Sequence, residues 1–189
     1  MKTLSFKIVG VSPLLMHNGR LADPMDEYAR KMKEISSKRK KTEADYEELA
    51  RLEWLGSLYL ADKEPCIPGY VFEACLIGKG GAARKERMGK EAAAALWVFD
   101  DFPLLYDGPR DPYEMWEDEQ FRLVAPVVIN GNRVMRTRPM FKEWSAEVEV
   151  KFNPDLLDED VVRRWPVVAG EQCGLGDWRP KFGRFEVEW

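Results

Sequence analysis

Leu4, Phe6 and Ile8 alternate along residues 2–11, with Val9 and Val11 on the opposite face, which predicts a strand buried on at least one side. The stretch SPLLMHNGRLADP then breaks the alternation. From Asp26 the period lengthens: Tyr28, Met32 and Ile35 fall at helical spacing, and a second stripe of Tyr46, Leu49, Leu52, Leu55 and Tyr59 follows the basic link SSKRKK. The two stripes predict a helical hairpin inserted after the first strand, over about residues 24–60, with Ser37 or Thr42 placed to cap its second helix. CIPGYVFEACLIG opens on proline and glycine and then sets Val71, Phe72, Cys75 and Leu76 on one helical face; the pair Gly80-Gly81 weakens any continuation.

In the second half, AALWVFDDFPLLYDG predicts a strand and a loop, and FRLVAPVVINGNRVMRTRPMF two extended runs joined at Asn130-Gly131-Asn132, a hairpin signal. WSAEVEVKF alternates strongly up to Asn153-Pro154. LDEDVVRRWPVVAGEQCG predicts a short helix begun by acidic residues and interrupted or ended near Trp165-Pro166, and RFEVEW a further strand. No internal repeat breaks this order. Reduced to its core it is strand, helical insertion, helix, two or more strands, helix, strand. That is an α+β fold with a ferredoxin-like, RRM-like βαββαβ core, expected as a single domain over residues 1–189.

Composition narrows the classes. With 45% hydrophobic and 33% charged residues the chain has the balance of a soluble globular protein, and no apolar run approaches the roughly 20 residues that span a bilayer. The opening residues alternate like a strand and no small-residue cleavage site follows, so the expectation is a cytoplasmic protein without a membrane partner. Three cysteines, Cys66, Cys75 and Cys173, lack paired spacing, which argues against disulfides and zinc and for small buried hydrophobes. No Walker loop, nucleophile elbow or dinucleotide fingerprint is present, so no cofactor is expected.

A net charge of −4 speaks against nucleic acid, but its distribution does not. Residues 29–41 carry seven bases and one acid, among them Lys38, Arg39, Lys40 and Lys41; residues 79–90 carry five and one, among them Lys79, Arg84 and Lys85. Residues 100–119 and 143–160 hold eight and seven acids with a single base each. Segregated signs can present a basic face under an acidic sum, because local charges set the field at a groove. In NRVMRTRPMFKEW, Arg136 and Arg138 lie two apart and would project from one face of a strand, able to clamp successive phosphates beside Lys142, with Phe141 and Trp144 adding aromatic surface; pairing with the acidic run at 143–160 is the alternative.

Two stretches resemble a known family. IPGYVFEACLIG is similar to the start of the first helix in the RAMP superfamily, the repeat-associated proteins that bind CRISPR RNA, although residues 70–74 are bulkier than the small residues common there. GLGDWRPKFGRFEV resembles that superfamily's glycine-rich loop before its last strand, and the order of the two motifs fits the βαββαβ scheme. The single-domain backbone subunits that polymerise along a guide RNA are nearest in size and layout. The resemblance implies a non-catalytic protein that binds single-stranded RNA, with single-stranded DNA left open, as a homo-oligomer or as a subunit of a ribonucleoprotein complex.

The loop's own chemistry agrees. Gly174, Gly176 and Gly183 would bring a phosphate close to backbone N–H groups, Arg179, Lys181 and Arg184 supply charge, and Trp178 or Phe182 could stack on a base. The alternative for the same glycines is a tight turn. His17, the only histidine, is a candidate general acid or base for a ribonuclease of this fold, and Asp23 and Asp26 are loop carboxylates with three readings: metal ligands, groups acting on RNA, or a helix cap. A third class of function is a protein-interaction or nucleic-acid-mimic module that presents its acidic surface.

Overall fold

The computed structural model describes residues 1–189, the side chain of Ile129 excepted. The alternation of Leu4, Phe6 and Ile8 becomes β1 (Lys2–Gly10), with all three side chains buried. After it come β2 (Leu14–Leu15), a 3-10 turn (Gly19–Ala22) and the helices α1 (Glu27–Ser36) and α2 (Glu43–Ser57). Next are β3 (Leu60–Ala61), β4 (Glu64–Ile67) and the helices α3 (Gly69–Ile77), α4 (Ala82–Lys85) and α5 (Gly89–Ala95). β5 (Leu96–Trp97), β6 (Phe102–Pro103), α6 (Pro112–Glu117) and a 3-10 turn (Glu119–Phe121) precede the longer strands β7 (Arg122–Ile129), β8 (Asn132–Phe141) and β9 (Ser145–Phe152). α7 (Glu159–Val168), a π-helical turn (Ala169–Cys173) and β10 (Phe185–Glu188) follow.

The fold is α+β with antiparallel sheets. Its main sheet runs β10-β1-β9-β5 with every neighbouring pair antiparallel, an order compatible with a ferredoxin-like core when α3 and α7 are taken as the two helices between the strands. One face carries Leu4, Phe6, Ile8, Val148 and Val150 into the core, where Phe72 of α3 meets Phe6 and Phe185 at ring distances of 6.2 and 6.4 Å. Trp165 of α7 is buried in the same core. On the opposite face the register sets Lys7, Glu147, Glu149, Lys151, Glu186 and Glu188, four acids against two bases.

The helical insertion forms, and its boundaries follow from caps. Asp26 accepts from the N–H groups of Tyr28 and Ala29 to start α1, and Thr42 with Asp45 forms a reciprocal capping box that starts α2. The end of α2 is not peripheral: Trp54 is buried and its indole donates to the Phe121 carbonyl at 2.9 Å, pinning the hairpin to the 3-10 turn that leads into β7.

Three local expectations need correction. The break after β1 contains β2, whose Leu14 and Leu15 pair with Phe141 and Met140 of β8. The β7–β8 hairpin therefore belongs to a separate sheet of order β2-β8-β7. Its turn residues are Asn130 and Gly131, both at positive φ, and Asn132 already pairs with Ile129. Lastly, Pro166 does not end α7; the helix runs two residues further before the π-helical turn.

Candidate nucleic-acid interface

Residues 174–183 are held by the chain's own backbone. Leu175 N–H donates to Gly183 C=O, Asp177 N–H to Leu15 C=O and Gly183 N–H to Pro13 C=O, each at 2.8 Å. Gly176 and Gly183 have φ of +72° and +71°, and a Cβ would collide with the Leu15 carbonyl oxygen at the first and the Leu175 carbonyl oxygen at the second. The expectation that these glycines clear the way for a phosphate is thus corrected. Gly176 lets β2 and the loop pass each other and Gly183 lets the two ends of the loop close on one another, and most of the loop's N–H groups already have acceptors. Gly174, at φ +71°, faces the Phe182 carbonyl and donates to Ala169 C=O at 2.9 Å to close the π-helical turn.

Folded this way, the loop projects what lies between the glycines. Three concavities adjoin around it, and Asp177 borders all of them. One of about 480 Å³ lies among His17, Met32, Glu53, Arg136 and Trp178. A second of about 200 Å³ lies among His17, Tyr59, Tyr70 and Arg179. The third, of about 570 Å³, lies among Lys85, Gln172, Trp178 and Arg179. Trp178 is half-buried and packs on Phe182 at a ring distance of 5.9 Å, while Tyr70 is largely exposed above Tyr59. Among the described residues Arg179, Lys181 and Lys85 are exposed and carry no ion pair.

Beneath the groove sits a charge cluster. Arg138 Nη1 contacts Glu53 Oε1 at 2.8 Å and its Nε contacts Asp177 Oδ2 at 3.0 Å, while Thr137 N–H donates to Glu53 Oε2 at 2.9 Å. Arg138 and Glu53 have side-chain exposures of 7% and 8%, whereas Arg136, whose Nη1 lies 3.3 Å from Glu53 Oε1, keeps 29%. Arg136 and Arg138 do share a face, but the second is spent on tying α2, β8 and the loop together. Its partners are not in the acidic run at 143–160.

The remaining candidates divide. Phe141 is buried against Tyr106 at 4.9 Å and Trp144 is buried with its indole donating to Ser12 C=O, so neither offers a face to a base. Lys142 is exposed just past β8, and Arg184 donates to Glu171 C=O at 2.6 Å. Lys38 pairs with Asp45 at 2.6 Å in the turn between α1 and α2, where Lys41 donates to Lys38 C=O. Arg39 and Lys40 are exposed in that same turn, and Lys79 and Arg84 are exposed around α4, but none of these four lines the groove. Tyr59, Tyr70, Glu53 and Asp177 are groove residues that pattern reading passed over. Only Glu53 left a trace, as a charge inside the apolar run LEWL.

Asp26 caps α1 and pairs with Arg20 at 2.7 Å, and Asp23 accepts from Met25 N–H, so both carboxylates have local structural partners. The three cysteines are free and buried, and burial pushes the Cys66 thiol up to about 12. His17 keeps an exposed edge; its Nδ1 lies 3.5 Å from Ser57 Oγ and its carbonyl accepts from the Tyr59 hydroxyl at 3.0 Å. Desolvation, then the Arg138 guanidinium, holds its pKa below 6.5; Asp177 and Glu53 oppose the shift and Arg136 adds to it. A depressed folded-state pKa makes His17 favour folding fully above 6.5 and lose that contribution as pH falls through the folded value. His17→Gln should therefore lose less melting temperature than the parent between about pH 7 and pH 5. Equal losses in thermal scans would refute it.

No family model matches this chain, and no match is found among curated proteins.

Proposed function

We propose that the chain is a non-catalytic, RAMP-like protein that binds single-stranded nucleic acid, RNA in preference to DNA, along the groove beside Trp178 and Arg179. One observation carries the reading: three adjoining concavities meet around a loop that presents an aromatic face and unpaired cations, the combination a sequence-tolerant single-strand site needs. Bases would stack on Trp178 and Tyr70, and Arg179, Lys181, Lys85 and Arg136 would meet phosphates. The open face of the main sheet, acidic in sum, is a poor platform for RNA and supports placing the strand at the loop. The same acidic face suits side-by-side assembly, in which a neighbouring copy's basic surface docks on it.

Incubation with labelled single-stranded RNA and DNA tests this directly. Intact, bound RNA is the expected result, with cleavage pointing to a ribonuclease and no binding to a protein-interaction role. Affinity should fall by orders of magnitude between roughly 50 and 200 mM salt, since several phosphate contacts release counterions. Trp178→Ala should weaken binding by about 1–3 kcal/mol while leaving the salt slope unchanged, because stacking carries no charge. A flat salt response would sink the groove model.

A further inference from the structure

Outside the groove, α2 and the β7–β8 ribbon border a further, open cavity of about 380 Å³. The register puts it on the other face of the ribbon. Val124 lies opposite Thr137 and both line this cavity, whereas Arg136 and Arg138, on the alternate positions of β8, line the groove. Ala44, Ala50 and Val124 form apolar walls, and Trp116 of α6 forms another.

The charges inside are unevenly satisfied. Arg51 and Glu48 cancel in a two-point fork, Nε to Oε2 at 2.7 Å and Nη2 to Oε1 at 2.8 Å. Arg122 has no such partner. Its guanidinium lies 4.5 Å from the Trp116 ring centroid, its nearest carboxylate is the 93% exposed Glu119 at 3.7 Å, and its Nε is the one buried side-chain nitrogen or oxygen without a hydrogen-bond partner among the described residues. A separation of 3.7 Å is outside hydrogen-bond range, so the guanidinium is stacked on Trp116 without an acceptor among the described residues. Its Nε is buried while the side chain as a whole keeps 23% exposure, which leaves the Nη end to supply a charge-assisted hydrogen bond.

We propose that this cavity is a separate binding site for the carboxylate of a small apolar acid, with Arg122 as anion anchor and Trp116 as its aromatic wall. A monoanion is favoured over a phosphate because Glu47, which has no ion-pair partner among the described residues, also lines the cavity and would repel a second negative charge. The apolar walls call for a hydrocarbon body, and the volume falls in the range of small-molecule pockets. The carboxylate can belong to a free acid or to the end of a polypeptide.

The test uses the whole chain, isotope-labelled, with the Trp116 indole and Arg122 Nε–H resonances as readouts. N-acetyl-leucine is the free acid, N-acetyl-leucinamide its uncharged counterpart, and N-acetyl-Gly-Gly-Leu the peptide end. Saturable shifts with N-acetyl-leucine at millimolar concentration are expected, with the amide at least about tenfold weaker. Tighter binding of the tripeptide would assign the site to a polypeptide terminus, and weaker binding to a free acid. Arg122→Gln should abolish the Trp116 shift. Val124→Trp, at a 57% exposed position, fills the cavity while keeping Arg122 in the chain and should also abolish saturable binding, at unchanged melting temperature. The proposal is overturned if acid and amide bind alike, if no probe gives a saturable shift up to about 10 mM, or if the stable Val124→Trp protein still binds.

Discussion

Gly183→Val and Gly176→Val are expected to unfold the loop rather than merely empty it of ligand, with a loss of at least about 4 kcal/mol each, the range reserved for strain and overpacking. Two effects add. A β-branched residue at φ near +71° is strained in its own backbone. Its Cβ would also overlap a backbone carbonyl, Leu175 at one position and Leu15 at the other, and backbone held by the Leu175 N–H to Gly183 C=O and Asp177 N–H to Leu15 C=O bonds cannot swing away as a side chain end could. For a chain of this size the melting temperature should drop by roughly 10 °C or more, and RNA binding should fall with it. Gly131→Ala is the internal control: it has φ of +81° but nothing near its Cβ, so it isolates the conformational cost, about 1 kcal/mol. Stable valine variants that lose only binding would reverse the assignment and return both glycines to the ligand.

What was legible in the sequence is what local chemistry decides. Alternation identifies β1 and β9, Asn130-Gly131-Asn132 the hairpin turn, and the choice of Ser37 or Thr42 the start of α2, which the structure gives to Thr42. β2 was hidden because two residues cannot show a period; Leu14 and Leu15 are a strand only because Phe141 and Met140 come alongside. The same pairing takes Phe141 out of the site, since a strand with a sheet partner and a packed face has no ring to spare. The loop was found for one reason and matters for another. Its glycines mark backbone crowding, while the residues facing the groove, Asp177, Trp178 and Arg179, are those between them. In the sequence Tyr70 is only one of the bulky residues where the motif has small ones, yet its exposed ring borders the groove.

Arg136 and Arg138 should separate cleanly into an affinity residue and a stability residue, although they share a strand face. Arg138→Ala removes the cation between Glu53 and Asp177 and leaves a buried carboxylate with only the Thr137 N–H and the more distant Arg136, so a loss of about 3–5 kcal/mol is expected. Arg136→Ala leaves the Arg138–Glu53 contact intact and should cost stability no more than about 1 kcal/mol, as partly exposed pairs do. On the proposed binding mode RNA affinity should invert the order: Arg136→Ala would lose one charge-assisted phosphate contact, about 1.5–3 kcal/mol, in a protein that still melts near the parent temperature. The double change Glu53→Gln with Arg138→Met is the decisive variant, because it removes both buried charges at once. If the cost of Arg138→Ala is the stranded carboxylate, the double variant should recover most of the lost stability; if it stays as unstable as the single change, the cluster holds α2 to β8 by geometry rather than by charge balance.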